Sequence, residues 1–237
     1  MTPAAARSCA RTAGLLLLVS LVAGGFGEVY VPVKLVVSGD ALATAGNIAA
    51  SMPLFRWGFA GYLVEALCNV ALTLLFYELL KPAGQALALL GAFFGLVGIS
   101  VFAVAELFYV APLLLLQGGD YLKEFSPDQL NTMVLLSLKF YGLAGGVLML
   151  FGGAGSVCFG VLIWRSRYLP KLLGALLTIG GVGFVLRNFL LVLAPPLASE
   201  AWLLPMSLAM LALAAWFLAR GVDAPRWQER VGARAAP

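Results

Sequence analysis

Six times along its length the chain runs for about 18 residues or more on side chains that are almost entirely hydrocarbon. A segment of that kind buries its backbone polar groups best as an α-helix, which satisfies each N–H and C=O internally and so can sit in lipid. The runs predict helices at about 13–33, 57–80, 86–116, 130–164, 172–194 and 202–219. Composition supports this reading, since 62% of residues are hydrophobic and 11% charged, where a soluble domain carries about 25% charged residues. The expected fold class is therefore all-α: a polytopic integral membrane protein, with one transmembrane helical bundle over residues 1–219 and a basic cytoplasmic tail over 220–237. The third and fourth runs exceed the ~20 residues needed to cross, and are expected to tilt or protrude.

Lys and Arg set the orientation. One side of the predicted bundle collects Arg7, Arg11, Lys81, Arg165, Arg167, Lys171, Arg220, Arg226, Arg230 and Arg234, and the other only Lys34, Arg56 and Lys123. This bias predicts both termini in the cytoplasm of a cell whose inner membrane holds the chain. It also accounts for the net charge of +4, so no nucleic-acid partner is expected. The partner is the bilayer itself. Arg7 and Arg11 could open a signal peptide, but no clean small-x-small site follows the apolar core, so the first run is read as a retained helix. The tail "GVDAPRWQERVGARAAP" is read as disordered or lying on anionic lipid.

Loop chemistry adds local detail. Asp40 is placed to cap a short helix that ends before Pro53. Ser126, Pro127 and Gln129 form a capping box at the start of the fourth helix. Trp164 and Trp202 stand at run ends, where interfacial anchors belong.

Several chemistries are excluded or unsupported. Without any histidine, His-ligated haem, HExxH zinc sites and Ser-His or Cys-His nucleophile pairs have no ligand or base. Cys9, Cys68 and Cys158 show no paired spacing. Every aspartate lies in a loop or in the tail, so an intramembrane aspartyl pair is excluded. No catalytic residue, metal ligand or cofactor motif emerges. The glycines of "GLAGGVLMLFGGAGSVCFG" follow no strand and precede no P-loop lysine. They are read as close-packing positions, with homo-oligomerisation through the 130–164 helix as the alternative.

What remains is a set of polar side chains inside the apolar runs: Glu28, Glu65, Asn69, Glu106, Lys139 and Arg187, with Arg56 at the mouth of the second run. A charge at mid-bilayer costs roughly 2.5–3.5 kcal/mol on insertion scales, so such residues normally face the bundle interior. By residue count the five charged ones fall in the outer half. Glycine spacing places them on helix-facing stripes, Glu28 with Gly24 and Gly25, Lys139 with Gly142 and Gly146, Arg187 with Gly183 and Gly180. Tyr62, Tyr109 and Asn188 are nearby hydrogen-bonding candidates. Two readings stay open. One is a buried ion-pair network that fixes helix register. The other is an outward-facing polar cavity that binds or moves a small solute or ion. A structural or regulatory module acting through helix contacts is the rival to a binding function.

The stretch from Gly39-Asp40 through Thr44, Asn47 and Ile48 to Leu54-Phe55-Arg56, with "FYELLKPAGQALALLGAFFGLV" and "YLPKLLGALLTIGGVGF", resembles the bacterial membrane family DUF4386, a domain of unknown function, over roughly residues 10–195. The resemblance implies a compact multi-spanning bacterial inner-membrane protein and no particular activity. Lys139 and Arg187 depart from it, so charge pairing there is particular to this chain.

Overall fold

The computed structural model describes residues 2–235, with side chains through residue 233. Residues 236–237 of the tail, and the side chain of Arg234 counted above, lie outside the described residues. The helices are α1 (Pro3–Gly24), α2 (Val31–Leu35), α3 (Ala41–Ala50), α4 (Met52–Leu80), α5 (Gln85–Gln117), α6 (Pro127–Ser166), α7 (Lys171–Leu193), α8 (Leu204–Ala219) and α9 (Ala224–Ala235), with a π-helical turn at Gly25–Tyr30 joining α1 to α2. No strand occurs among the described residues. Six spans are long and apolar enough to cross a membrane: Pro3–Leu35, Met52–Leu80, Gln85–Gln117, Pro127–Ser166, Lys171–Leu193 and Glu200–Ala219. The protein is an all-α, multi-pass membrane protein. At 40 residues, α6 is roughly 60 Å long at the ~1.5 Å rise of a helix, about twice the hydrocarbon thickness.

The first span starts at Pro3, well before the run that announced it. The reason is an alanine stripe: Ala6, Ala10, Ala13 and Leu17 are buried at helical spacing. They ride on a stretch of good helix formers, while Arg7 and Arg11 stay exposed.

The helices divide into two compact units, residues 1–19, 68–99 and 147–237 in the first and 20–67 and 100–146 in the second. The first unit holds a continuous apolar core that includes Leu79, Leu80, Leu162, Ile163, Leu177, Leu213 and Phe217. Glycines let its helices touch backbone to backbone. A Cβ on Gly174 would come within 2.6 Å of the Gly160 carbonyl oxygen, and one on Gly153 within 2.7 Å of the Gly181 carbonyl oxygen. In the glycine run of α6, Gly153 and Gly160 therefore pack against α7 and Gly155 against α5.

The tail is ordered helix rather than disordered chain. It forms α9, with a polar face and an apolar face, and Trp227 is 2% exposed. The Trp227 indole donates to the Leu79 carbonyl at 3.1 Å, and the Tyr168 hydroxyl donates to the same oxygen at 2.7 Å. Burial pushes the Tyr168 phenol well above its ordinary value, against a smaller downward pull from Arg230, so it stays a hydroxyl donor. A single tryptophan amid charged neighbours gave too little periodicity for the sequence to announce this docking.

In the second unit the chain between α2 and α4 is held tightly. The Asp40 carboxylate accepts from the Ala43 N–H at 2.8 Å, as a cap should. Thr44, fully buried, accepts from the Val37 N–H and donates to backbone oxygen. The capping box is present at α6: Ser126 N–H donates to Gln129 Oε1 at 2.8 Å, and Gln129 N–H to Ser126 Oγ at 3.3 Å.

Candidate functional site

Glu28, Glu65 and Glu106 all belong to the second unit, and Glu106 lies within electrostatic reach of both other carboxyls. Glu106 is 3% exposed, and neither of its oxygens has a hydrogen-bond partner among the described residues. An unpartnered buried carboxyl is costly, so its retention needs a local cause.

Glycine supplies the space for this cluster. A Cβ on Gly24 would come within 2.5 Å of Glu65 Oε2, and one on Gly58 within 2.6 Å of the Tyr109 hydroxyl. Gly27 and Gly61 bring the end of α1 and the start of α4 into backbone contact, with Gly27 facing the Gly58 carbonyl and Gly61 the Ala23 carbonyl.

The π-helical turn sets the direction of Glu28. Pro32 has no N–H to offer the Glu28 carbonyl four residues back, and its ring crowds that carbonyl. The chain responds by shifting to i→i−5 bonding, with the Val31 N–H reaching the Phe26 carbonyl. The extra residue per turn breaks the face count made from sequence. Gly24 and Gly27 are buried while Gly25 and Glu28 are exposed, so Glu28 does not share a buried stripe with Gly24.

Around the carboxyls stands an aromatic wall. Tyr62, Tyr109 and Tyr141 form a triangle, with ring centroids 4.7 Å apart for Tyr62–Tyr109 and 5.4 Å for each of the other two pairs, all edge to face. Phe55 stacks on Tyr109 at 4.6 Å and Phe102 meets Tyr62 edge-on at 5.8 Å. Glu28, Phe55, Tyr109 and Tyr141 line a cavity of about 170 Å³, closed elsewhere by aliphatic side chains such as Val31 and Leu138. The Tyr109 hydroxyl is buried without a hydrogen-bond partner. Tyr141 was not singled out in the sequence. The signal that finds it is the stripe of buried Val134 and Ser137 with half-buried Leu138 and Tyr141 along α6.

Of the predicted cations, Arg187 has a partner of its own. Arg187 lies in the first unit, and its guanidinium pairs with Glu200, in the turn between α7 and α8. Sequence reading missed Glu200 because it falls outside every apolar run. Lys139 is exposed, two residues before Tyr141 and so well off the buried stripe of α6. Its neighbour Gly142 has nothing within 4 Å of an added Cβ, so at that position α6 packs on no other helix among the described residues. Arg56 is also exposed. Asn69 belongs to the first unit, where it lines a separate, largely apolar cavity of about 180 Å³ with Thr73, Ser156 and Phe159.

Six spanning helices, with a buried Glu106 and an aromatic cluster in one unit, define a polytopic helical membrane protein. Its sequence matches a family over residues 12–221, the one described as "Domain of unknown function (DUF4386)", and the chain belongs to that family. No curated protein and no solved structure matches it.

Proposed function

We propose that the second unit binds a small organic cation, an alkylammonium ion, in the cavity between Glu28, Phe55, Tyr109 and Tyr141. The observation that carries this reading is a cavity walled by Glu28 and aromatic rings in the same unit as Glu106, a carboxyl 3% exposed and without a hydrogen-bond partner among the described residues. Aromatic faces and a carboxylate are the recognised surroundings of alkylated ammonium groups, each ring adding about 0.5–2 kcal/mol. The carboxyls do not converge as metal ligands do, with no group of three His, Cys, Asp or Glu gathered for a metal among the described residues. That favours a diffuse organic cation over an inorganic one. Glu28 lines the cavity, and Glu106 lies within electrostatic reach of Glu28.

The test is calorimetric titration of the purified protein with tetramethylammonium and with sodium, as their chlorides. Tetramethylammonium is expected to bind and sodium not. Glu106→Gln keeps the side-chain shape and is expected to weaken binding at least tenfold, and Tyr141→Leu by about tenfold, the worth of one desolvated ring. Equal heats for both salts, or unchanged affinity in Glu106→Gln, would sink the proposal in favour of a purely structural cluster.

We also propose that both termini face the cytoplasm of a bacterial inner membrane. The distribution of charge between units supports this orientation. Arg7, Arg11, Lys81, Arg165, Arg167, Lys171, Arg220, Arg226 and Arg230 all lie in the first unit, and Lys34, Arg56 and Lys123 in the second. Alkaline phosphatase fused after the C-terminus is expected to be inactive, and an active fusion would reverse the orientation.

A further inference from the structure

The end of α6, the start of α7 and the polar face of α9 enclose a cleft of about 790 Å³ lined by Ser166, Arg167, Lys171, Arg226, Glu229 and Arg230. Four cations face one carboxylate. Two of them are fixed in place by the chain itself. Arg226 Nη1 donates to the Arg167 carbonyl at 3.3 Å, and Arg230 Nη2 donates to the Arg165 carbonyl at 3.1 Å. These bonds cap the C-terminal carbonyls of α6, as basic side chains often do. Each guanidinium has five N–H donors, so capping leaves most of them for another acceptor. Asp223 forms an ion pair with Arg226, its Oδ2 lying 3.3 Å from Nε. Glu229 and Asp223 together still leave the cations in excess.

Two further features separate the cleft from ordinary basic loop chemistry. Arg167 holds a left-handed backbone, φ 66°, where glycine would rest without strain. The buried Trp227 anchors α9, so its two arginines cannot swing away from the α6 end. The first-turn N–H groups of α7, a 23-residue helix beginning at Lys171, add a favourable field for an anion. Lys171 Nζ lies 5.7 Å from the ring of Trp164. Trp164 is exposed at the end of a spanning helix, the position of an interfacial anchor at the depth of lipid headgroups.

We propose that this cleft binds a phosphate group, presented by an anionic lipid headgroup at the membrane surface. Arg226 and Arg230 act as fixed donors, while Arg167 and Lys171 close on the phosphate as mobile charges.

The experiment reconstitutes the full chain in nanodiscs of phosphatidylcholine alone and of phosphatidylcholine doped with phosphatidylglycerol, and reads thermal stability and retention of the doped lipid by native mass spectrometry. Inorganic phosphate in the phosphatidylcholine discs is the soluble arm. Phosphatidylglycerol is expected to raise Tm and stay bound, and inorganic phosphate to do neither. The paired variant Arg167→Gly, Lys171→Gln is expected to lose at least tenfold in lipid affinity, with its Tm in phosphatidylcholine unchanged or higher because glycine relieves the backbone at position 167. Arg11→Gln, which removes a charge elsewhere, is expected to bind as the parent does. Stabilisation by inorganic phosphate would overturn the lipid source. Equal lipid retention in the paired variant, or equal losses in Arg11→Gln, would overturn the site.

Discussion

Replacing Trp227 by alanine is expected to release α9 from the rest of the first unit. A buried tryptophan hides roughly 150–250 Å², worth about 4–6 kcal/mol at ~25 cal/mol per Å². Alanine keeps a small part of that, and large-to-small changes at such sites cost about 3–5 kcal/mol. The lost indole bond adds little. The Leu79 carbonyl retains the Tyr168 hydroxyl as a donor, so no orphaned acceptor is left and the loss stays at about 1 kcal/mol. A 12-residue helix is marginal by itself in water, so undocking and unfolding of α9 become one event. A loss of about 3–4 kcal/mol corresponds to a roughly 100- to 1000-fold rise in the open population, at ~1.4 kcal/mol per decade.

Hydrogen exchange on peptides covering residues 224–233 reads that population directly, and trypsin cleavage after Arg226 and Arg230 gives a second view. Trp227→Phe restores most of the packing without the N–H donor, and is expected to recover all but about 1 kcal/mol. If exchange in α9 is the same in Trp227→Ala as in the parent, the docking argument fails. Recovery of the lipid retention proposed above, with cation binding unchanged in both variants, is the expected pattern in Trp227→Phe.

Two further outcomes check the packing and the ion pair. Gly174→Val, whose Cβ would meet backbone atoms at 2.6 and 2.7 Å, is expected to destabilise by about 1–3 kcal/mol or more, whereas Gly142→Ala, with nothing nearby, is expected to hold or gain up to ~1 kcal/mol of helix propensity. Equal shifts in detergent Tm would contradict the assignment of contact faces, and a change of oligomeric mass in Gly142→Leu would show that a second copy covers that stripe. Glu200→Gln leaves the Arg187 side chain, 13% exposed, short of its counter-charge at a cost of about 1 kcal/mol. Arg187→Leu is expected to cost less, since Glu200 at 74% exposure turns to water and the leucine packs. A larger loss in Arg187→Leu than in Glu200→Gln would refute this ordering.

The spans and caps were legible in the sequence because each depends on neighbours close in the chain. Asp40 needs only Ala43, and Ser126 only Gln129. The burial of Glu106 was legible too, because a carboxyl inside an apolar run is driven away from lipid. Pairing was not. Counting charges inside apolar runs left out Glu200, and equal numbers of acids and bases suggested mutual neutralisation where Arg187 has its own partner and Lys139 faces away. The π-helical turn was hidden for a different reason. Helical face counting assumes 3.6 residues per turn, and one proline at position 32 was enough to change the period at Glu28. The docking of α9 depends on one indole and an oxygen 148 residues away, a pairing that no local pattern encodes.

The two proposed sites differ in how far simple insertion rules account for them. Basic residues in short loops orient a membrane protein, and acidic ones contribute little. Orientation therefore explains why cations collect in the first unit but says nothing about Glu28, Glu65 and Glu106. Apolar residues at those three positions would insert more readily, and a buried ion pair would at least return some Coulomb energy. The chain has neither at Glu106, among the described residues. It has glycines at 24 and 58 that make room for Glu65 and for the Tyr109 hydroxyl. At the cleft the same reasoning isolates Arg167. Orientation asks for a charge somewhere in that loop, and a neighbouring position would serve as well. It does not ask for an arginine in a left-handed backbone, in the same turn where the α9 arginines reach back to the carbonyls of residues 165 and 167. In both places a local strain or desolvation cost stands beside an open volume, and a ligand of opposite charge is what would offset it.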